Sequence, residues 1–317
     1  MVRLALLLVA VAVATIVPRG AGAQDLTPIK VVTVDNDTES AILIGIKEGL
    51  FRKAGLDIDL TAMNSGAAAA AAVAGGAAQI GQSSLVTLIN AHARGIPFAL
   101  VAAGGLITSD VPYAAALVRK DSPIKTGRDL NGKIFAVPAL QDLNTIAAML
   151  WIDQNGGDSK TVKFVELPAV ATVTAIEEGR VDAGQVGTPV LTAALDDGKT
   201  RILAQIFDAF GSRFENAAWF ATTDYAKANP DVVVRFATAM RQASVLANTH
   251  RAETLTLIAD FRHLDPQTLA HMARIEFAEY LDPRDIQPLI DAAAKYKAIA
   301  APFPAQDMIS PLALKPP

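Results

Sequence analysis

Polar residues gather at five turns of this chain, each of which follows a predicted strand and leads toward a predicted helix. Hydroxyl, amide and carboxylate side chains at such turns accept hydrogen bonds from the unpaired N–H groups of a first helical turn. Those N–H groups and the positive end of the helix dipole also suit a carbonyl or anionic group of a small molecule. One such turn is most simply a helix cap, but five together favour a binding site. The turns are residues 35–39, 64–66, 82–84, 141–145 and 187–189.

The elements that position these turns occur twice, at an offset of 103 residues. "KVVTV" at 30–34 matches "KIFAV" at 133–137, and residues 76–95 match residues 179–198 at six of 20 positions. In each half, three strand patterns alternate with three helix patterns, which is typical of a mostly parallel sheet flanked by helices. The sequence therefore predicts an α/β protein of two similar lobes. Because such sheets bind ligands beyond the carboxyl ends of their strands, we expect the turns to face a cleft between the lobes.

Each lobe is bounded by crossovers of the chain. Two extended stretches, residues 113–118 and 217–223, are the expected crossovers. The pattern after residue 223 is helical and has no counterpart in the repeat, so we expect a C-terminal helical segment that packs on lobe one. The predicted lobe one comprises residues 24–110 and 223–317, and the predicted lobe two comprises residues 111–222.

The first 23 residues have the three parts of a secretory signal peptide. Arg3 precedes an apolar stretch at residues 4–17, and Ala21-Gly22-Ala23 supplies the small residues of a cleavage site. A membrane anchor is the alternative, although the apolar stretch is shorter than the roughly 20 residues that a spanning helix needs. We therefore expect a periplasmic protein that is secreted through a cleavable signal peptide.

The composition argues against several other functions. The chain has no cysteine, which excludes disulfides, thiolate metal sites and cysteine nucleophiles. Without Arg3 and Arg19, 26 basic residues remain against 32 acidic ones, and this balance disfavours nucleic acid as a partner. The four histidines lie far apart and lack the spacing of metal ligands. The sequence thus predicts no metal, no cofactor and no catalytic residue.

Five segments of the chain resemble a known family of binding proteins. They are "IKEGLFRKAGLDIDL", "SGAAAAAAVAGGAAQIG", "VRKDSPIKTGRDLNGKIFAV", "EEGRVDAGQV" and "WFATTDYAKANPDVV". They are similar to the substrate-binding proteins of ABC importers in the nitrate, sulfonate and taurine group, which also contains thiamine-pyrimidine binders. The resemblance implies a two-lobed, type II-like periplasmic-binding-protein fold. It also implies a receptor that closes on a small-molecule solute and delivers it to an ABC permease in the inner membrane; we expect a monomer.

The resemblance also implies which positions touch the solute. In this family the solute contacts the loop after the first strand, the helix start after the third strand, and the matching loops of lobe two. Trp219, in the return crossover, either lines the hinge or packs there. The candidate ligand-binding residues are Asn36, Asp37, Ser83, Ser84, Gln141, Asn144, Thr145, Gly187, Thr188 and Trp219.

One loop departs from what a small inorganic anion would prefer. Asp35, Asp37 and Glu39 place three carboxylates in the first loop, which favours a solute that carries hydrogen-bond donors. The expected solute is therefore a small organic molecule, namely a sulfonate, an aromatic carboxylate or a pyrimidine-like compound. Two alternatives are an enzyme on the same scaffold and a sensor that presents its ligand to a membrane partner. An enzyme similar to the pyrimidine synthases or desulfinases of this superfamily would call for cysteine motifs, which the chain lacks.

Overall fold

The computed structural model describes residues 26–34, 37–109, 113–140, 142–188, 190–263 and 274–316. The predicted signal peptide and the candidate residues Asn36 and Gln141 lie outside these ranges. Within them, no helix has the length and apolar character needed to cross a membrane.

The strands form two five-stranded sheets and one small sheet of three strands. The first sheet has the order β2-β1-β3-β12-β4, and the second has the order β10-β6-β9-β7-β8. The strands are β1 Thr27–Val34, β2 Leu56–Met63, β3 Ile80–Ser84, β4 Phe98–Ala103, β5 Gly105–Thr108, β6 Ala114–Arg119, β7 Ile134–Val137, β8 Lys163–Glu166, β9 Ala183–Gly187, β10 Thr200–Ala204, β11 Arg213–Glu215, β12 Ala217–Thr222 and β13 Glu276–Phe277.

The helices alternate with the strands up to β10 and then dominate the C-terminal part of the chain. The helices of the alternating part are α1 Ser40–Lys47, α2 Leu50–Lys53, α3 Gly66–Ala74, α4 Leu85–Ala93, α5 Leu143–Gln154, α6 Ala169–Glu177 and α7 Val190–Asp196. The C-terminal helices in the described ranges are α8 Thr223–Ala228, α9 Pro230–Thr249, α10 Arg251–Arg262 and α11 Pro283–Lys295.

The two large sheets repeat one topology. In the first, β1 pairs in parallel with β2 and β3, and in the second, β7 pairs in parallel with β8 and β9. Each sheet then receives one antiparallel strand beside its third strand: β12 pairs with β3, and β6 pairs with β9. These two strands occupy the stretches predicted as crossovers, so each crossover completes the sheet that it enters. The predicted α/β fold with mostly parallel, helix-flanked sheets is confirmed.

The C-terminal helices pack on the first sheet. Helix α9 contacts α1 and β4, and α10 contacts α1, while α11 contacts α4 and also α5. Trp219 and Phe236 show how this packing is achieved, because both side chains are fully buried and their rings meet edge to face at 5.7 Å. The lobe boundaries predicted from the sequence stay a prediction; strand β12, which lies inside the range assigned to lobe two, belongs to the first sheet.

A small sheet of order β11-β5-β13, which we call the bridging sheet, joins the two halves. Strand β5 leads from the first sheet to the second, and β11 leads back. The two passages approach closely: a Cβ atom on Gly104 would lie 2.4 Å from the carbonyl oxygen of Ala217. Any other residue would clash there. Glycine at this position therefore allows the two segments to lie close together and to form a narrow neck between the sheets.

Candidate functional site

A cleft of about 460 Å³ lies where the carboxyl ends of strands from both large sheets face each other. Residues from the starts of α4 and α5, the end of β9 and the bridging region line it. They are Ser84, Val86, Thr87, Asn90, Ile107, Tyr113, Ala114, Pro138, Asp142, Leu143, Asn144, Ala169, Gln185, Gly187, Thr188, Phe207 and Asn216. This is the position that the sheet topology predicts for a small-molecule site.

On the side of the first sheet, Ser84 ends β3 and caps α4. Its Oγ accepts a hydrogen bond from the backbone N–H of Thr87 at 3.3 Å and lies 2.8 Å from the Thr87 Oγ1. Thr87 and Asn90 follow on the same side of the helix and also line the cleft. The start of α4 therefore presents hydroxyl and amide groups, together with the positive end of the helix dipole, and carries no acidic residue in its first turn.

On the side of the second sheet, Asp142 caps α5. Its Oδ1 accepts from the Thr145 N–H at 2.9 Å, and its Oδ2 accepts from the Asn144 side-chain amide at 2.7 Å. Of the two predicted residues here, Asn144 lines the cleft, whereas Thr145 is buried and donates its hydroxyl to the Ala139 carbonyl at 2.7 Å. The start of α5 thus carries a carboxylate where the start of α4 carries a neutral hydroxyl.

The end of β9 supplies two further predicted residues. Gly187 and Thr188 both line the cleft, and the Thr188 N–H donates to the Tyr113 carbonyl at 3.1 Å. The Thr188 Oγ1 is buried and has no protein partner in the described part of the chain, and the same holds for the Asn216 Oδ1 across the cleft. Buried polar atoms are normally hydrogen-bonded, so these two atoms are exceptions in the described part of the chain.

Tyr113 adds a hydroxyl to the cleft wall. Burial raises the pKa of this phenol, and the nearby Asp37 carboxylate raises it further. The hydroxyl therefore stays protonated at neutral pH and can donate a hydrogen bond. Among the described lining residues there is no lysine, arginine or histidine, so the wall offers neutral donors, the N-termini of α4, α5 and α6, and the Asp142 carboxylate.

Asp37 is placed outside this cleft. Its carboxylate is buried, pairs with the Arg274 Nε at 2.7 Å and accepts from the Ile275 N–H at 3.0 Å and from the Ser40 hydroxyl at 2.9 Å. Glu39, also buried, pairs with Arg262. Two of the three carboxylates of the first loop therefore bind C-terminal arginines, and they do not set the charge that a solute would meet. The third carboxylate of that loop, Asp35, lies outside the described residues.

Ser83 and Trp219 are also placed away from the cleft wall. Trp219 is fully buried in the core of the first sheet. Ser83 is fully buried as well, and its Oγ lies only 2.3 Å from where a Cβ on Gly66 would be, at the start of α3. Successive residues of a strand point to opposite faces, and this alternation separates Ser83 from Ser84.

A larger cavity of about 650 Å³ lies on the other side of the bridging sheet. Leu106 lines it, whereas the next residue, Ile107, lines the cleft. Its described lining residues come from the bridging sheet and the C-terminal segment, and none belongs to a five-stranded sheet. Its arginines Arg213 and Arg284 pair with Asp285 and Asp282. The topology therefore places the candidate site in the smaller cleft.

Neither a metal centre nor a serine–histidine pair is found in the described ranges. No group of histidine, aspartate or glutamate residues there could hold a metal ion. The ring of His92 stacks on Phe303 at 4.4 Å and does not line the cleft. The described cleft wall consists of hydroxyl, amide, carboxylate and apolar side chains.

The two sheets joined by a narrow neck, with a polar cleft between them, define the class of two-lobed solute-binding folds. The chain belongs to the NMT1/THI5-like family, whose model matches residues 36–253. The taurine-binding periplasmic protein of Escherichia coli (strain K12) is 27% identical over 186 residues, which cover 59% of this chain and 56% of that protein.

Two solved structures show the same fold. The periplasmic aliphatic sulphonate binding protein SsuA from Escherichia coli has a TM-score of 0.73 at 18% identity, with 92% of this chain and 94% of that chain covered. The periplasmic nitrate-binding protein NrtA from Synechocystis PCC 6803 has a TM-score of 0.66 at 11% identity, with 91% and 87% covered. The predicted family and fold are confirmed.

Several lining residues were not among the sequence-based candidates. Asp142 stands in a turn that the sequence singled out, but its cap position alone did not distinguish it from its neighbours. Thr87 and Asn90 lie one and two turns into α4, where the pattern of cleft-facing positions could have indicated them. Tyr113 and Asn216 come from the crossovers, and no sequence signal indicates which crossover side chains turn toward the cleft.

Proposed function

We propose that this chain is a periplasmic solute-binding protein. It captures a small organic solute, namely a sulfonate, an aromatic carboxylate or a pyrimidine-like compound, in the cleft between its lobes. It then delivers the solute to an ABC permease in the inner membrane. The observation that carries the proposal is the pair of helix starts, α4 and α5, which meet a polar cleft from opposite sheets.

Two relatives support this proposal, since one is a taurine-binding protein and the other an aliphatic sulphonate binding protein, and both are periplasmic. The proposal includes residues 1–23 as a cleaved signal peptide and lobes at 24–110 with 223–317 and at 111–222. It also includes a monomeric state and a role without catalysis. Ligand contacts are proposed for Ser84, Asn144, Gly187 and Thr188, which line the cleft.

Calorimetry on the purified mature protein tests the proposal. A panel of sulfonates, aromatic carboxylates, pyrimidines and nitrate should contain at least one compound that binds with a Kd near micromolar, which corresponds to about 8 kcal/mol. Ser84→Ala should weaken that binding. Ser65→Ala is the matched control, because Ser65 caps α3 in the same way but does not line the cleft. No binding across the panel, or equal losses from both variants, would contradict the proposal.

A further inference from the structure

The cleft is electrically asymmetric. Helices α4, α5 and α6 begin at it, and each contributes roughly half a positive charge at its N-terminus. At α4 this charge is not compensated, because the cap is Ser84 and the first turn holds no acid. At α5 the cap is Asp142, whose full negative charge exceeds the helix dipole. The carboxylate of the described wall thus lies on the side of the second sheet, whereas the side of the first sheet presents the start of α4 without an acid.

The start of α6, where Ala169 lines the cleft, lies on the side of the second sheet and offsets part of the Asp142 charge. The described lining residues include no basic side chain. The nearby acids Asp37 and Glu39 are paired with Arg274 and Arg262 and do not line the cleft. Asp142 is therefore the carboxylate that a solute in this cleft would meet.

Asp142 also keeps the capacity to bind a donor. Each of its oxygens accepts one hydrogen bond from α5, from the Thr145 N–H and from the Asn144 amide. A carboxylate has about four acceptor positions, so two remain for a solute. The residue is half-buried, which strengthens a charge-assisted bond relative to one in open water.

The opposite end of the cleft favours an acceptor. Ser84, Thr87 and Asn90 present hydroxyl and amide donors beside the uncompensated start of α4. Ile107 and Phe207 add apolar wall to the same cleft. A solute that spans this cleft would then have a fixed direction.

We infer that Asp142 selects solutes that carry a protonated amine or another strong N–H donor at one end, while the start of α4 receives their acidic or carbonyl end. This inference rests on the proposed solute-binding function and names the chemistry that the cleft selects. It assigns to Asp142 a role in solute selection in addition to its role as a helix cap.

The test compares pairs of compounds that differ only in an amino group. Suitable pairs are taurine and ethanesulfonate, 3-aminopropanesulfonate and propanesulfonate, and β-alanine and propionate. The wild-type protein should bind the amino member of at least one pair about tenfold or more tightly, as expected for a charge-assisted hydrogen bond.

Asp142→Asn isolates the charge, because asparagine caps a helix as well as aspartate does. This variant should fold normally and lose the preference for the amino member. Asp158→Asn is the matched control, since Asp158 caps the short 3-10 turn Ser159–Thr161 in the same half of the chain and does not line the cleft. It should keep the full preference.

Each other outcome overturns the inference. If the wild type binds the plain acids as tightly as their amino partners, Asp142 does not select the donor end, although the solute-binding function stands. If Asp142→Asn keeps the preference, the selection lies elsewhere. If no member of any pair binds, this selectivity is wrong, and the solute-binding function is then judged separately by the wider panel.

Discussion

The turn after the first strand is acidic in both halves of the molecule, but the two turns do different things. In the first half, Asp37 and Glu39 are buried and bind Arg274 and Arg262 of the C-terminal segment. In the second half, Asp142 lines the cleft and, within the described ranges, accepts hydrogen bonds from the first turn of its own helix. The acidic turn thus forms buried ion pairs in the first half of the molecule, and the corresponding turn of the second half forms part of the cleft wall.

The C-terminal segment explains the difference. It has no counterpart in the repeat, and it packs on the first sheet through α9 and α10. Its arginines pair with the carboxylates of the first acidic loop. This pairing allows those carboxylates to be buried, because a buried carboxylate requires a partner. Among the described residues, Asp142 of the second half has no such arginine partner, so its carboxylate is available to a solute.

The largest expected effect comes from breaking the buried ion pair between Arg274 and Asp37 in the first half. Arg274→Ala leaves the buried Asp37 without its cation, and such a change typically costs about 3–5 kcal/mol. Urea unfolding monitored by circular dichroism should show this loss. Arg284→Ala is the control, because it removes an ion pair of similar length whose arginine is 85% exposed, and it should change little. Equal stability of both variants would show that the ion pair of Asp37 does not stabilise the folded state.

A second expected effect concerns Ser83, which lies behind the cleft rather than in it. Gly66→Ala would place a Cβ 2.3 Å from the Ser83 Oγ, and such overpacking costs about 1–3 kcal/mol. The double variant Gly66→Ala with Ser83→Ala should recover the loss, because the remaining contact to the Ser83 Cβ is 3.5 Å. Thermal unfolding of the four proteins measures the coupling. Additive losses would place the Ser83 hydroxyl away from α3.

A smaller effect is expected from Glu215, whose side chain connects the two chain segments that run between the sheets. Glu215 is fully buried, and its Oε1 accepts from the Gly104 N–H at 2.8 Å. Burial raises the pKa of this carboxyl well above its usual range. The hydrogen bond from the Gly104 N–H and the charge of Arg213 oppose this rise, whereas the charges of Asp285 and Asp282 add to it. The folded state therefore keeps a proton that the unfolded chain releases at lower pH.

The sign of the resulting pH dependence follows from this difference. As pH rises from the ordinary glutamate pKa toward the raised pKa of Glu215, the unfolded state binds fewer protons and the free energy of unfolding falls. Glu215→Gln removes this contribution, so the variant should gain stability relative to the wild type between pH 5 and pH 8. Thermal unfolding across that range measures it, and parallel pH profiles of the two proteins would contradict a protonated Glu215.

Particular residues show how far the sequence could predict this molecule. The offset of 103 and the alternating pattern were sufficient to predict two α/β halves, since the periods of strands and helices are visible in the local order of apolar residues. Gln82 and Gln185 show the limit. They match in the repeat, yet Gln82 is buried and bonds Thr38 at 2.6 Å, whereas Gln185 lines the cleft. Which equivalent residue meets a solute depends on the C-terminal cover, and pairings over more than 200 positions, such as Asp37 with Arg274, leave no local signal.

Hydrogen exchange on the unmodified protein tests the comparison of the two acidic turns most directly. The tightest compound of the calorimetric panel is added, and the exchange rates of the backbone amides are measured with and without it. We predict slower exchange at the first turns of α4 and α5, around Val86 and Asn144, and no change around Ser40, whose loop is already held by Arg274. Protection around Ser40 without protection at α4 and α5 would contradict the account.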